Sequence, residues 1–288
     1  MTALALGTTL ALLAASPTAA AQRDSATAAF LTRARAATAR YHDRAAAIAD
    51  GYRAMGPETP AMGQHWLQPS LLVADRLDPA APPILEYATV EGRPVLVGVA
   101  FALPLVDGES VPDTPVPASM WHAHEGTVSA EIVGSSHAGM GTQMGERVAV
   151  LHAWVWTPNP AGPFEAQNWG LPFLRAGLPA PPGAPLAAAE ALALGTGGVG
   201  YFAAECRARL RPDPSEVATL EAVLTAFADS VTQWRSHRPA SVPLGREEVD
   251  WLDGLWARGR IAIAGALGRG RAAPPDALSS CAGDQPSP

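Results

Sequence analysis

The chain contains no lysine, and all 20 of its basic residues are arginines. A Walker A phosphate loop needs a lysine to reach the phosphates, and a pyridoxal enzyme needs one for its Schiff base. The sequence therefore excludes both classes. Positive charge is scarce as well, because 27 acidic residues outnumber the basic ones and give a formal net charge of −7. That balance argues against a surface that binds nucleic acid or anionic membranes, which needs clustered cations.

Long hydrophobic runs are missing after the first 21 residues, so the sequence predicts no transmembrane helix. Residues 1–21, MTALALGTTLALLAASPTAAA, are apolar, uncharged and end in small side chains. This composition predicts a signal peptide cleaved near Ala21–Gln22; the alternative is an ordinary N-terminal helix. We therefore expect an exported protein, periplasmic or extracellular, that is not inserted into a membrane.

Cysteine is nearly absent, with only Cys206 and Cys281 in 288 residues. In an oxidising compartment the two could form one disulfide that ties the C-terminal tail to a helix. Two unpaired thiols remain the alternative.

The composition, 48% hydrophobic and 16% charged, is that of a globular chain, long enough for one large domain or two modest ones. We expect an α+β fold: an N-terminal helix, a mostly antiparallel sheet and a C-terminal helical bundle. The expected organisation is a signal peptide over 1–21, a helix plus β-rich region over 22–178, and a helical region over 179–288.

The first half of the mature chain changes from helical to strand-like periodicity. Steps of three and four predict one amphipathic helix from Asp24 to Met55, followed by a Gly/Pro loop that runs to Trp66. Alternation then predicts a hairpin with strands Pro83–Val90 and Pro94–Leu103. On its first strand Glu86 shares a face with apolar neighbours, and a carboxylate buried in that way needs a partner.

The stretch Arg147–Asn168, RVAVLHAWVWTPNPAGPFEAQN, predicts a strand that enters a loop of turn-forming residues. Alternation places His152, Trp154 and Trp156 on one face of the strand and a smooth apolar set on the other. We expect this strand to form the floor of a site towards which other histidines converge.

Beyond about Pro179 the pattern is helical. Asp213, Pro214 and Glu216 form an N-terminal helix signal, and a second helix starts near Arg246. Steps of three and four in both segments are typical of an antiparallel helical pair.

Histidines and methionines occur together in the β-rich half. Every methionine after the first residue lies between 55 and 144, several of them beside a histidine. Imidazole together with thioether suits copper in an exported protein. The candidate soft ligands are Met62, Met120 and Met140. Ordinary packing of the methionines is the competing interpretation.

A second version of the site uses histidines alone, with an optional carboxylate. On a strand His122 and His124 fall on one side, where they could share a cation with a further histidine. The candidate metal ligands are His65, His122, His124, His152 and Glu86. Such a set suits copper, zinc or iron, and single satisfied or solvent-exposed histidines are the alternative.

Tryptophan supports a different hypothesis, a carbohydrate or small-molecule binding module, or a hydrolase. Aromatic platforms beside polar groups bind sugars and flat ligands. The candidate ligand-binding residues are Trp121, Trp154, Trp156 and Asn159. Tryptophans on strands also serve as ordinary core residues, and a structural or interaction protein without a site is a third hypothesis.

Two family resemblances bear on these hypotheses. The combination of ADGY at Ala49–Tyr52, MGQHW at Met62–Trp66 and LHAW followed by NPAGPF is similar to exported bacterial proteins without an assigned function. The segment WHAHEG also resembles the first cupin motif, and that resemblance would carry across only His122, His124 and His152. It fails in detail, since Glu125 follows the second histidine directly and the second cupin motif is absent.

One tempting motif lacks its context. Gly195–Gly200, GTGGVG, satisfies the dinucleotide-binding pattern GxGxxG, yet helix-like sequence precedes it and no second strand follows. Close helix packing or a helix break explains these glycines better. The sequence therefore predicts neither a nucleotide site nor, by itself, a catalytic reaction.

Overall fold

The computed structural model describes residues 19–72, 76–105, 109–111, 114–125, 147–180, 186–210, 212–239 and 241–266, and the fold is mixed α+β. Its helices are α1 (Ala19–Thr38), α2 (Arg44–Ala49), α3 (Pro69–Leu72), α4 (Leu171–Arg175), α5 (Leu186–Ala193), α6 (Val199–Leu210), α7 (Pro214–Ser236) and α8 (Arg246–Ala266). Its strands are β1 (Arg53–Thr59), β2 (Gly63–Leu67), β3 (Ile84–Val90), β4 (Arg93–Leu105), β5 (His122–Glu125) and β6 (Arg147–Ala153). The expected fold class is confirmed.

The six strands form one antiparallel sheet in the order β1-β2-β3-β4-β6-β5. The predicted hairpin is present as β3 and β4. Its two turn residues, Glu91 and Gly92, have φ values of 49° and 74°, the left-handed pair that a tight hairpin turn requires. The predicted strand at Arg147 is an interior strand, β6, between β4 and β5.

The two faces of the sheet differ. One face packs against α1, where Phe30 and Ala34 meet Phe101 and Leu151 in a large buried cluster. The other face carries a smaller apolar cluster: Leu67, Leu72, Ile84, Ala100, Ala102, Val148 and Val150. The candidate ligands described below lie on this second face.

The predicted single helix from Asp24 to Met55 is wrong. The chain leaves the helix at Thr38, restarts as α2 after Asp43, whose side chain accepts a hydrogen bond from Ala45 N, and then forms β1. Gly51 adopts a φ of 93°, a left-handed conformation that ends helices. Met55 therefore lies on a strand, and the expected Gly/Pro loop is the β1–β2 hairpin.

The prediction that His152, Trp154 and Trp156 share one face is wrong for Trp156. The strand ends at Ala153, and the chain turns so that Trp156 packs on the α1 side. There the Arg35 guanidinium lies 4.3 Å from its ring centroid, and its Nε1 donates to Thr38 Oγ1 at 3.1 Å. Trp154 remains on the same face as His152.

The C-terminal half is helical, as predicted. The Asp213–Glu216 capping box starts α7, and α7 buries Leu220, Leu224 and Val231 against the other helices. The GTGGVG segment forms a helix kink, as expected. A Cβ at Gly195 would overlap the Val231 side chain, so this glycine allows close helix packing.

Helix α4 contacts both halves. Leu171 packs with Trp154 on the sheet, whereas Phe173 belongs to the helical core. The boundary predicted between residues 178 and 179 stays a prediction. Among the described residues, no helix is long and apolar enough to span a membrane.

Three further expectations fall wholly or partly outside the described residues. They are the signal peptide over 1–21, of which 1–18 are not described, the partner cysteine Cys281 and the ligand Met140. Cys206 itself is buried in the helical core.

Candidate metal centre

The strand register brings the candidate ligands to one face of the sheet. His65 on β2 pairs with Glu86 on β3, and Glu86 pairs with Gly98 on β4. Two residues further along β4, Ala100 pairs with His152 on β6. Because side chains directly opposite each other in a sheet point to the same side, the histidines reach Glu86 from both flanks.

Glu86 is the centre of this group. His152 Nδ1 lies 2.5 Å from Glu86 Oε1, and His65 Nε2 lies 3.5 Å from the same oxygen. One ligand atom from each of the three side chains can be chosen so that all lie within 4.8 Å of one another. The His65–Glu86–His152 group could therefore hold a metal ion.

Burial makes the electrostatics of Glu86 unusual. Glu86 is 0% exposed and His152 2% exposed. Burial disfavours the charged carboxylate, but the adjacent His152 and His65 together outweigh it and hold the pKa of Glu86 below its usual value. An ionised carboxylate can only accept hydrogen bonds, so a charged Glu86 takes the short bond from His152 as Nδ1–H.

Two buried polar atoms of the group lack hydrogen-bond partners within the described part of the chain. They are His65 Nε2 and Glu86 Oε2. Buried nitrogen and oxygen atoms almost always have a partner, and each exception calls for an explanation. A cation beside both atoms would supply one.

Two further aromatic rings line His152. The His122 ring is almost parallel to the His152 ring, at 11° and 5.2 Å between centroids, and Trp154 is similarly stacked at 14° and 5.8 Å. Side-chain exposure is confined to the edges of the group, since His65 is 26% exposed and His122 is half-buried. Solvent therefore reaches the group from those edges.

Gly98 is a residue of this site that the sequence did not indicate. A Cβ at this position would overlap Glu86 Oε2 and lie 2.8 Å from Trp154 Cε3. A glycine in a strand interior often marks a close approach of this kind. In the sequence, the only signal of this close approach was a glycine inside a predicted strand. That signal could not show which side chain lies against the glycine.

The structure brings together three of the predicted ligands, His65, Glu86 and His152, with His122 beside them. For His124 the structure describes only the backbone, which pairs with Val148. Met62 lies in the β1–β2 turn and Met120 is 38% exposed. A metal role for the predicted methionines stays a prediction.

Of the predicted ligand-binding tryptophans, Trp154 lies beside this group, stacked on His152, whereas Trp121 and Trp156 lie on the α1 side of the sheet. Trp121 is 7% exposed in the cluster on the α1 side, and Trp154 is 4% exposed with its Nε1 donating to Glu165 O. Asn159 stabilises its own loop, since its Nδ2 donates to Gln167 O and its Oδ1 accepts from Ala161 N. Ligand binding by these residues stays a prediction without support from their contacts.

Comparisons of the chain with protein-family models, with curated proteins and with solved structures found no match.

Proposed function

We propose that this protein binds a transition-metal ion through His65, Glu86 and His152. One observation carries the proposal: three donors from three adjacent or near-adjacent strands converge, with two buried atoms that no other described group satisfies. A tetrahedral ion with bonds of about 2.1 Å separates its donors by roughly 3.4 Å. Donor atoms within 4.8 Å can reach that spacing through side-chain adjustment alone.

Two arrangements fit this donor set. In the first, Glu86 binds the ion directly together with one nitrogen of each histidine. In the second, His152 binds through Nε2 while its Nδ1–H keeps the bond to Glu86, a carboxylate–histidine–metal arrangement common in metal sites. In both, the rigid sheet sets the positions of the ligand backbones before the ion arrives.

Two imidazoles and a carboxylate suit zinc, iron(II) and copper(II). The group itself consists of two histidines and a carboxylate. Met55, paired with His65 across β1 and β2, packs against the apolar cluster of its face, and Met140 lies outside the described residues. The proposal is therefore a transition-metal site, with copper kept as the preference predicted by the His/Met pattern. The proposed role is binding or handling of the ion.

Metal analysis tests this proposal. We expect the purified protein to contain or take up about one equivalent of zinc, copper or iron, measured by elemental analysis and calorimetric titration. Three single variants, His65→Asn, Glu86→Gln and His152→Asn, should each weaken binding. The matched control is His42→Asn, an exposed histidine on the α1 side of the molecule. Uptake of less than about a tenth of an equivalent of every metal would refute the proposal.

We also propose that the protein functions outside the cytoplasm, on the strength of the apolar leader in residues 1–21. N-terminal sequencing of the protein from a bacterial periplasmic fraction should begin near Gln22. Recovery of the uncleaved chain in the cytoplasm alone would contradict it.

A further inference from the structure

A cavity lies between the sheet and the helices, apart from the metal centre. Its volume is about 300 Å³, and it is bounded by the β1–β2 turn, the end of β3, α4 and the kink between α5 and α6. The chemistry-bearing residues of its lining are Glu58, Thr59, Thr89, Arg175, Thr196 and Tyr201. It shares no lining residue with the His65–Glu86–His152 group.

A neutral ion pair lies in the wall of this cavity. The Arg175 side chain is 8% exposed, and its Nη2 donates to Glu58 Oε1 at 2.5 Å. Arg175 Nη1 also donates to Pro60 O, which fixes the guanidinium to the β1–β2 turn. Because the carboxylate balances the guanidinium, the wall favours neither a strongly anionic nor a strongly cationic ligand.

Both members of the pair keep unused hydrogen-bonding capacity. Glu58 accepts from Arg175 and from Thr89 N through Oε1, and among the described residues Oε2 accepts from none. Within the same part of the chain, Arg175 Nε and the Thr89 hydroxyl make no hydrogen bond. The cavity thus offers a carboxylate acceptor, a guanidinium donor and a hydroxyl, which can act as either.

The GTGGVG kink supplies another part of the lining. Gly197 has a φ of 107° and Thr196 is also non-helical, so the helix is interrupted where it meets the cavity. One turn later the half-buried ring of Tyr201 completes the lining. An aromatic side chain in the same lining as paired charged groups suits a ligand with an apolar ring face and hydroxyl edges.

We propose that this cavity binds a neutral polyhydroxylated ligand of the size of one sugar ring. Vicinal hydroxyls match the carboxylate and guanidinium in pairs, and a ring C–H face matches Tyr201. The volume lies at the small end of the range for ligand sites, roughly 300–1,000 Å³. A zwitterion fits less well, because it would have to compete with the Arg175–Glu58 pair already formed.

Saturation-transfer NMR and calorimetry of the full chain against a panel of hexoses, pentoses and inositol test this site, with inorganic phosphate and glycine as charged competitors. We expect at least one neutral ligand to bind with a dissociation constant of about 1 mM or tighter. Thr89→Trp, at an exposed position on the cavity rim, should weaken binding at least about tenfold by filling the cavity. Tyr201→Ala should weaken it about fivefold or more, and Tyr201→Phe should keep most of it.

The matched control is Thr219→Trp, an exposed threonine on α7 outside the cavity, which should leave sugar binding unchanged. Absence of binding by every neutral ligand at about 10 mM, or binding of phosphate or glycine instead, would overturn the proposal. Sugar binding that survives Thr89→Trp would overturn its location. We expect Thr89→Trp and Tyr201→Ala to take up metal normally. Loss of sugar binding and loss of metal binding are therefore measured independently.

Discussion

At the residue scale, Glu86 decides what the site can do. A fully buried carboxylate carries a desolvation cost of several kcal/mol unless partners compensate it. His152 and His65 supply the compensation, since one nitrogen of each lies within 3.5 Å of Glu86 Oε1, and their proximity holds the pKa of Glu86 below its usual value despite burial. The same ionised oxygens are what a metal ion needs from a ligand or from a ligand's partner.

Replacing Glu86 by glutamine keeps the shape of the side chain and removes its charge. We expect metal affinity to fall at least about tenfold, the range seen when a partner of a histidine ligand is lost, and further if Glu86 is itself a ligand. Calorimetric titration measures the loss. His237→Gln, on the exposed end of α7, controls for a general effect, and unchanged affinity in Glu86→Gln would remove Glu86 from the site.

Gly98→Ala tests the fit of Glu86 and Trp154 against β4. The new Cβ would overlap Glu86 Oε2 and crowd the Trp154 ring, so we expect a loss of about 1–3 kcal/mol in the free energy of unfolding, together with weaker metal binding. Urea denaturation provides the measurement. Gly200→Ala is the contrasting change, because nothing lies within 4 Å of a Cβ at this exposed position of helix α6. It should stabilise by up to about 1 kcal/mol. Equal effects of the two changes would argue against close packing at Gly98.

At the element scale, the sequence predicted most where the signal was local. The β3–β4 turn at Glu91-Gly92 and the Asp213–Glu216 capping box each need only a few neighbouring residues, and both are present. The prediction of one helix running to Met55 was wrong because it followed the helical spacing of apolar residues. It gave too little weight to two local signals that end the helix, the capping residue Asp43 and Gly51. The Gly56-Pro57 pair then belongs to an outer strand, where proline is tolerated.

The sequence grouped Glu86 with His65 and His152 by residue type, but local patterns could not show which side chains contact Glu86. Alternation showed that Glu86 faces apolar neighbours and therefore needs a partner, but His152 lies 66 residues away and reaches it across β4. Strand order and register decide that contact, and neither is written in a local pattern. Of the four histidines and three methionines that the sequence proposed, the register unites His65 and His152 with the carboxylate, while the His124 side chain and Met140 lie outside the described residues.

The start of α8 gives a prediction about pH. Hydrogen bonds from Arg238 outweigh partial burial and, with one from Gly245 N, hold the pKa of Glu248 below 4.5. Because the folded pKa is the lower one, this stabilisation is complete above the unfolded value and is lost as the pH falls through the folded value. We expect Glu248→Gln to lower the free energy of unfolding by roughly 1 kcal/mol at neutral pH, a figure reduced for partial exposure.

The pH series distinguishes this contact from a general charge effect. Urea denaturation from neutral to acidic pH should show the stabilities of wild type and Glu248→Gln converging as the pH falls from the unfolded pKa of Glu248 through its lower folded pKa. Glu247→Gln removes a carboxylate from the same first turn, at an exposed position. It should produce a smaller difference, and parallel curves for both variants would refute the assigned role of Arg238.

At the scale of the whole molecule, α4 joins two hydrophobic cores. Leu171 lies beside Trp154, which is stacked on His152, while Phe173 is buried among the helices. Arg175, at the end of the same helix, is bound to the β1–β2 turn. A five-residue helix with side chains in both cores should make the sheet and the helices unfold together.

Metal binding provides the test of that coupling. An ion at about 100 times its dissociation constant stabilises the native state by about 2.7 kcal/mol. If the molecule opens as one unit, native-state hydrogen exchange should show the most protected amides of β4 and of α7 slowed by the same factor when metal is added. The metal should slow neither set in His152→Asn. Slowing confined to β4 would show that the helices unfold independently, and that α4 connects the two cores without coupling their stability.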